Sequence, residues 1–136
     1  MDEQRRIAKR GVAHQAQDFI LVVDDDYDLR QMIQWMLEEE GFKVQTAGDG
    51  REAIELALLQ QPALMLLDLG LPLLNGDAVA AQVYAHYGNL VPILLMTADR
   101  QVEEKSCQMG AVTYVRKPFD INDLLATVQH ACEAGV

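Results

Sequence analysis

Residues 63–72 read ALMLLDLGLP, in which five apolar residues lead to a single carboxylate and a turn follows. A short apolar run that is closed by Gly70 and Pro72 is typical of a buried strand. The end of such a strand carries Asp68 to the edge of a sheet. We therefore predict a buried strand over the apolar run, with Asp68 as the polar side chain that it delivers.

Three further strand-like runs, over 19–23, 91–96 and 112–116, are also followed by polar side chains. Parallel strands of an open sheet collect their functional groups outside their carboxyl ends. We expect the polar groups of all four runs to meet at one edge of the sheet. They are Asp68 together with Asp24, Asp25 and Asp26 after the first run, Thr97 after the second and Lys117 after the third.

Segments with helical spacing alternate with the strands. Apolar residues at 29, 32, 33, 36 and 37 lie on one helical face, and Gly41 is a typical helix stop. A short strand over 42–47 follows, and helices are predicted after Asp49, over 77–87, over 100–109 and after Asp120. Five such strand–helix pairs indicate an α/β domain, with a five-stranded parallel sheet covered by helices on both faces.

The composition of the 136-residue chain limits the partners that it can take. The net charge is −10, but residues 1–17 carry +2, so the remainder carries −12. We expect a basic N-terminal extension over 1–17, one domain over 18–136, and no direct binding of nucleic acid, because phosphates would be repelled.

No apolar run approaches the ~20 residues of a membrane span, so we expect a cytoplasmic protein. Cys107 and Cys132 are isolated and predicted to be reduced.

Three carboxylates at one edge of a sheet would repel one another, and a divalent cation relieves that repulsion. Oxygen ligands favour Mg²⁺, with Mn²⁺ as a substitute, and Mg²⁺ sites of this kind usually handle phosphoryl groups. Asp68 stands alone on its strand and is the candidate nucleophile, whereas Asp24 and Asp25 are paired and better placed to hold metal. Asp26 is predicted to cap the helix that follows it. Lys117 and Thr97 supply a cation and a hydroxyl for the phosphoryl oxygens.

With these motifs the chain resembles a response-regulator receiver domain, the phosphoacceptor module of two-component signalling, of the kind found in chemotaxis regulators. The resemblance implies a flavodoxin-like (βα)5 fold with strand order 2-1-3-4-5. Each motif alone is weak, but the ordered set is specific. The matching segments are 22–26, 66–72, 75–76, 92–98 and 110–119.

The resemblance also implies roles for single residues. Asp68 would accept a phosphoryl group from a histidine kinase or a phosphotransfer protein. Asp24 and Asp25 would bind Mg²⁺ together with Asp68 and the backbone carbonyl of Gly70. Thr97 and Lys117 would contact the phosphoryl group.

Three further residues take regulatory roles in the family. Tyr114 would turn inward as Thr97 moves, and so alter the face formed by the fourth helix, the fifth strand and the fifth helix. That face would bind a downstream protein, and the family also allows a phosphorylation-dependent homodimer. Gly70 and Asp99 lie two residues after Asp68 and Thr97. We expect Gly70→Asn or Asp99→Ala to change the lifetime of the phosphate without abolishing phosphorylation.

Other functions are weaker readings of the same residues. An aspartate-nucleophile phosphohydrolase could use the acid pair Asp24 and Asp26, but its second acid pair and its cap domain are missing. A receiver that acts unphosphorylated, as an interaction surface alone, is disfavoured by the complete set of acids, Thr97 and Lys117. Under the leading hypothesis, that of a phosphoacceptor receiver, the chain is either a stand-alone regulator or a receiver from a longer transcriptional or enzymatic regulator. It turns over no separate substrate.

Overall fold

Five parallel strands form one sheet, as predicted. In the computed structural model, which describes residues 18–71, 74–98 and 113–134, the strands lie in the spatial order β2-β1-β3-β4-β5. Each neighbouring pair is parallel. The predicted strand order 2-1-3-4-5 is therefore confirmed. The strands are β1 (Ile20–Val23), β2 (Val44–Ala47), β3 (Leu64–Asp68), β4 (Ile93–Thr97) and β5 (Thr113–Arg116).

The described residues also form four α-helices and one short 3₁₀-helix, and the last α-helix follows β5. The 3₁₀-helix Gly88–Leu90 directly follows the third α-helix. The helix predicted over 100–109 and the extension 1–17 lie outside the described residues. None of the described helices is both long and apolar enough to cross a bilayer. The α-helices are α1 (Tyr27–Glu39), α2 (Gly50–Leu59), α3 (Gly76–Tyr87) and α4 (Ile121–Ala134).

The helices bury two separate apolar cores, one on each face of the sheet. Side chains alternate between the two faces along a strand, so Leu21 and Val23 point to one core while Ile20 and Val22 point to the other. The first core lies beneath α2 and α3, and the second lies beneath α1 and α4. The predicted cover of helices on both faces is confirmed, and it explains why the strands are continuously apolar.

Each helix begins beside the edge of the sheet at which the strands end. Asp26 caps α1 by accepting a hydrogen bond from the backbone N–H of Leu29, as the sequence predicts. Asp49 caps α2 in the same way through Glu52, whose own carboxylate accepts from the N–H of Gly48. The other two caps are the Asn75 side chain on α3 and the Asp120 side chain on α4. The caps give each chain segment a defined direction as it leaves the sheet.

Glycine at the first position of α2 and of α3 allows both helices to lie close to the segment that follows β3. A Cβ atom on Gly50, the first residue of α2, would lie 2.2 Å from the carbonyl oxygen of Leu74. A Cβ atom on Gly76, the first residue of α3, would lie 2.8 Å from the carbonyl oxygen of Asp68. Both distances are too short for a side chain, so only glycine allows these helices to approach the loop.

One residue of the predicted apolar face of α1 is exposed. The spacing places Met32 on that face, but its side chain is 48% exposed. The second core contacts a narrower stripe of this helix, formed by the buried Ile33, Met36 and Leu37 and the half-buried Leu29. Cys132 is buried within the same core and forms no disulfide with the described part of the chain, whereas Cys107 lies outside the described residues.

Candidate functional site

The polar residues that follow the strands meet at one edge of the sheet. Val23 at the end of β1 pairs with Leu67 of β3, so Asp24 and Asp68 leave neighbouring strands at the same level. Thr97 pairs with Arg116, the residue before Lys117. The register of four strands therefore sets the positions of these side chains.

Asp24 is fully buried, and its carboxylate is bonded at both oxygens. Oδ1 accepts a hydrogen bond of 2.9 Å from the backbone N–H of Asp26, and Oδ2 lies 2.7 Å from the Nζ atom of Lys117. Burial of a carboxylate is tolerated where it is both paired and hydrogen-bonded. The neighbouring Asp25 is exposed and forms the open side of the group.

Lys117 bridges two of the aspartates. Its Nζ atom lies 2.7 Å from Asp24 and 3.3 Å from Asp68. Burial lowers the pKa of this ammonium, but its hydrogen bond to Asp24 and the charges of Asp24 and Asp68 outweigh that effect, so its pKa is raised above 10.5. Lys117 is therefore charged at neutral pH and partly offsets the acids.

Asp68 is buried, and its pKa is raised above the ordinary value of 3.8. The largest cause is burial, which disfavours the carboxylate, and the charge of Asp24 acts in the same direction. The N–H of Gly70, which donates to Oδ1 at 3.1 Å, and the ammonium of Lys117 oppose the shift without cancelling it. The carboxylate thus lacks part of the positive charge that would stabilise its ionised form.

The three aspartates meet the requirements of a hard divalent cation. One oxygen each from Asp24, Asp25 and Asp68 lies within 4.8 Å of the others. The donors are carboxylate oxygens, which Mg²⁺ and Mn²⁺ prefer. Burial, and to a lesser extent the charge of Asp24, raises the pKa of Asp68, so one more positive charge in this place would stabilise its carboxylate. The residues present therefore fit such an ion.

Gly70 leaves open space beside the acceptor. A Cβ atom on Gly70 would lie 4.0 Å from Oδ1 of Asp68 and would meet nothing nearer. Its backbone N–H already contacts the Asp68 carboxylate, so this residue lies at the site. A larger residue here would project beside the acceptor without disturbing the core.

The remaining predicted site residues occupy β4 and β5. Thr97 is buried at the end of β4, and its carbonyl oxygen accepts a hydrogen bond of 2.8 Å from the N–H of Lys117. Tyr114 is half-buried and packs against the core beneath α2 and α3. The Lys117–Pro118 peptide bond is cis. Asp99 lies outside the described residues.

Arg30 is a neighbour of the site that sequence reasoning missed. Its Nη1 atom donates a hydrogen bond of 2.9 Å to the backbone carbonyl of Asp24. The sequence signal was an arginine in the first turns of a helix that starts at a cluster of acids. Because surface helices commonly carry arginine, that signal alone could not separate Arg30 from an ordinary exposed side chain.

Comparisons with known proteins agree with this arrangement. The family model of the response regulator receiver domain matches residues 20–129. The transcriptional regulatory protein PdtaR of Mycobacterium tuberculosis is 36% identical over 115 residues, which are 82% of this chain and 55% of that protein. The response regulator MprA of Mycolicibacterium vanbaalenii is 38% identical over 112 residues, 81% of this chain and 48% of that protein.

A solved structure has the same fold, and nearly its whole length is matched by this chain. The chemotaxis protein CheY4 of Vibrio cholerae matches with a TM-score of 0.78 and 30% identity, covering 85% of this chain and 99% of that chain. By contrast, this chain spans about half the length of the curated relatives that it matches. The sheet order, the acids at the strand ends and the matched family model lead to one conclusion: the chain belongs to the response-regulator receiver domain family of two-component signalling.

Proposed function

We propose that the chain is a phosphoacceptor switch of a two-component or phosphorelay system, acting in the cytoplasm. The donor is the phosphohistidine of a kinase or of a phosphotransfer protein. A carboxylate oxygen of Asp68 bonds to phosphorus as the phosphorus–nitrogen bond breaks, which yields an aspartyl phosphate and a free imidazole. The observation that supports this role most directly is the meeting of Asp68 with Lys117 and two further aspartates.

Asp24, Asp25, Asp68 and the carbonyl oxygen of Gly70 would hold Mg²⁺, or Mn²⁺ in its place. When bound, the ion supplies positive charge that offsets the phosphoryl oxygens. Lys117 already lies 3.3 Å from Asp68 and would add a second positive charge. Thr97 would contribute its hydroxyl as a hydrogen-bond donor to the same oxygens.

The output of the switch is a change in protein contacts. Thr97 and Tyr114 would move on phosphorylation and alter the face formed by the predicted helix 100–109, β5 and α4. A downstream protein, or a second phosphorylated copy of the chain, would bind that face. The net charge of −10 disfavours direct contact of this chain with nucleic acid. PdtaR is named as a transcriptional regulatory protein, and the chain matches 55% of it.

Other proposed roles concern the extent of the receiver and the lifetime of its phosphate. We assign residues 18–136 to the receiver and 1–17 to a basic extension. Gly70 and Asp99 would set how long the aspartyl phosphate survives. The open space beside Gly70 supports that role, because a side chain there could reach the phosphate or the attacking water.

The rival hydrolase reading would use Asp24 as the nucleophile. Asp24 is fully buried, and both of its carboxylate oxygens already have partners, Asp26 and Lys117. Attack by one oxygen of Asp24 would require that oxygen to give up a contact of 2.7 or 2.9 Å in a fully buried position. Asp68 is also bonded at both oxygens, but its contacts with Gly70 and Lys117 are longer, at 3.1 and 3.3 Å, and its side chain is slightly exposed. This difference favours Asp68 as the acceptor, and no separate phosphate ester would be turned over.

The acceptor is tested by mapping the acyl phosphate. The chain is incubated with acetyl phosphate and MgCl₂, reduced with borohydride to trap the aspartyl phosphate, and analysed by peptide mass spectrometry. We expect modification at Asp68, none in Asp68→Asn, and none in excess EDTA. Modification of Asp24, or steady hydrolysis of an external phosphate ester, would overturn the proposal in favour of the hydrolase.

A further inference from the structure

Arg30 lies in the first turns of α1, with its guanidinium directed toward the end of β1. Nη1 donates to the carbonyl oxygen of Asp24 at 2.9 Å. The Cζ atom lies 5.4 Å from the ring centroid of Tyr27, within the range of a cation–π contact. Nε is buried and has no hydrogen-bond partner among the described residues. The guanidinium is therefore partly desolvated, and within the described part of the chain its one hydrogen bond is to the backbone of Asp24.

The space that the guanidinium occupies is narrow. A Cβ atom on Gly48, in the loop between β2 and α2, would lie 3.0 Å from Nη1 of Arg30. Gly48 therefore leaves just enough room for the arginine between this loop and the end of β1. A Cβ atom at position 48 would require the guanidinium to shift by a few tenths of an ångström and would leave its charge unchanged.

The hydrogen bond from Arg30 completes the contacts of Asp24. The N–H of Asp24 donates to the carbonyl of Ala47, and its two carboxylate oxygens are bonded to Asp26 and Lys117. Its carbonyl oxygen has Arg30 as its partner. These contacts fix the turn over residues 24–26, which also sets the position of the exposed Asp25.

We propose that Arg30 is a positioning residue for the carboxylate site, and this inference rests on the proposed function. By holding the carbonyl of Asp24, Arg30 keeps Asp24 and Asp25 at the separation that one divalent cation requires. Residues that orient metal ligands in this indirect way typically change metal affinity by about 10- to 100-fold when they are replaced. Arg30 acts on the backbone rather than on a ligand side chain, so we expect the lower end of that range.

A purely electrostatic role for Arg30 predicts the opposite result. A cation beside three carboxylates repels a second cation, so its removal would strengthen metal binding. A positioning role predicts weaker binding after the same change. The direction of the change in affinity therefore separates the two roles.

The test measures binding of Mn²⁺ by the loss of its free-ion electron paramagnetic resonance signal, with Mg²⁺ as competitor, at fixed ionic strength. We expect Arg30→Met to weaken Mn²⁺ binding about tenfold. Arg30→Lys should recover most of the loss, because an ammonium can also donate to the carbonyl of Asp24. Arg51→Met is the matched control for the loss of one arginine, since Arg51 is exposed on the first turn of α2. It should bind Mn²⁺ as tightly as the wild type or slightly more tightly.

Gly48→Ala supplies a second variant in which no charge is lost. It should weaken Mn²⁺ binding by a smaller factor than Arg30→Met, because the guanidinium must shift away from the added methyl group, and it remains informative if Arg30→Met does not fold. Unchanged or tighter binding in either variant, with urea denaturation showing it to be folded, would overturn the positioning role. Wild-type binding of Mn²⁺ and phosphorylation at Asp68 test the proposed function separately, so the two hypotheses can fail independently.

Discussion

The carboxylate of Asp68 is held where its own charge is disfavoured. Burial and the neighbouring Asp24 raise its pKa, and the N–H of Gly70 and Lys117 offset only part of that effect. Such a carboxylate reduces the stability of the folded chain when it ionises. The unfavourable charge on Asp68 also favours the binding of positive charge at this site.

The first consequence is that Asp68→Asn should stabilise the chain at neutral pH in EDTA. Asparagine keeps an oxygen that can accept the hydrogen bond from Gly70, and Lys117 keeps its shorter contact with Asp24 at 2.7 Å. Asp68→Asn replaces a carboxylate whose ionised form is disfavoured in the folded chain with a neutral group of the same shape, and we expect a gain of about 1 kcal/mol in the free energy of unfolding. Urea denaturation at pH 7 measures the difference.

The pH dependence gives this prediction its control. Because the folded-state pKa of Asp68 is raised, the folded wild type loses stability as pH rises from about 3.8 through that higher pKa. The advantage of Asp68→Asn should therefore be complete above the folded pKa and disappear below 3.8. An equal advantage at both ends of this range would show that ionisation of Asp68 is not its cause.

The identity of the polar residues could be predicted from the sequence, but their environments could not. Asp26 as a helix cap was predictable because its neighbours define the start of α1. The full burial of Asp24 beside an exposed Asp25 was not. That difference in burial depends on Lys117, which contacts Asp24 although it lies 93 residues further along the chain.

At the scale of secondary-structure elements, α2 and the loop after β3 are in unusually close contact. The first residue of α2, Gly50, faces the carbonyl oxygen of Leu74. Gly76, the first residue of α3, lies close to the carbonyl oxygen of Asp68, where the loop begins. The segment that contains Leu74 follows β3 and Asp68. The position of Leu74 therefore depends on the position of α2.

We predict that Gly50→Ala destabilises the chain. Alanine is normally the better helix former by about 1 kcal/mol. Here its Cβ atom would lie 2.2 Å from a backbone oxygen, which can be relieved only by moving the helix or the loop. We expect a loss of about 1–3 kcal/mol in the free energy of unfolding, measured by urea denaturation in EDTA.

Gly70→Ala is the matched control for that substitution. The nearest atom to its Cβ would be 4.0 Å away, so we expect a change within about 0.5 kcal/mol. If Gly50→Ala were as stable as Gly70→Ala, the close contact between α2 and the loop would be contradicted.

The elements themselves could be predicted because their apolar spacing is regular. The strand runs and the helical face of α1 indicated both the order of elements and their contacts with the sheet. The width of each buried helical face could not be read from the spacing, as the exposure of Met32 shows. That width depends on how much of the sheet surface each helix covers, which is set by the positions of the neighbouring helices.

For the whole molecule, binding at the site should be linked to the stability of the fold. The groups at the site follow β1, β3 and β5 and come together only when the sheet is formed. An unfolded chain lacks this arrangement, so a ligand of the site binds the folded state selectively. The acidic body adds a second effect, because any salt screens part of its net charge of −10.

Addition of Mg²⁺ should therefore raise the free energy of unfolding of the wild type more than NaCl does at the same ionic strength. At a Mg²⁺ concentration tenfold above the dissociation constant, linkage gives about 1.4 kcal/mol. The matched variant is Asp25→Asn, because Asp25 is exposed and its replacement should leave the stability in EDTA within about 0.5 kcal/mol of the wild type. Its gain from Mg²⁺ should be much smaller. Equal gains from Mg²⁺ and NaCl, or equal gains in the wild type and Asp25→Asn, would assign the effect to screening of the acidic surface instead.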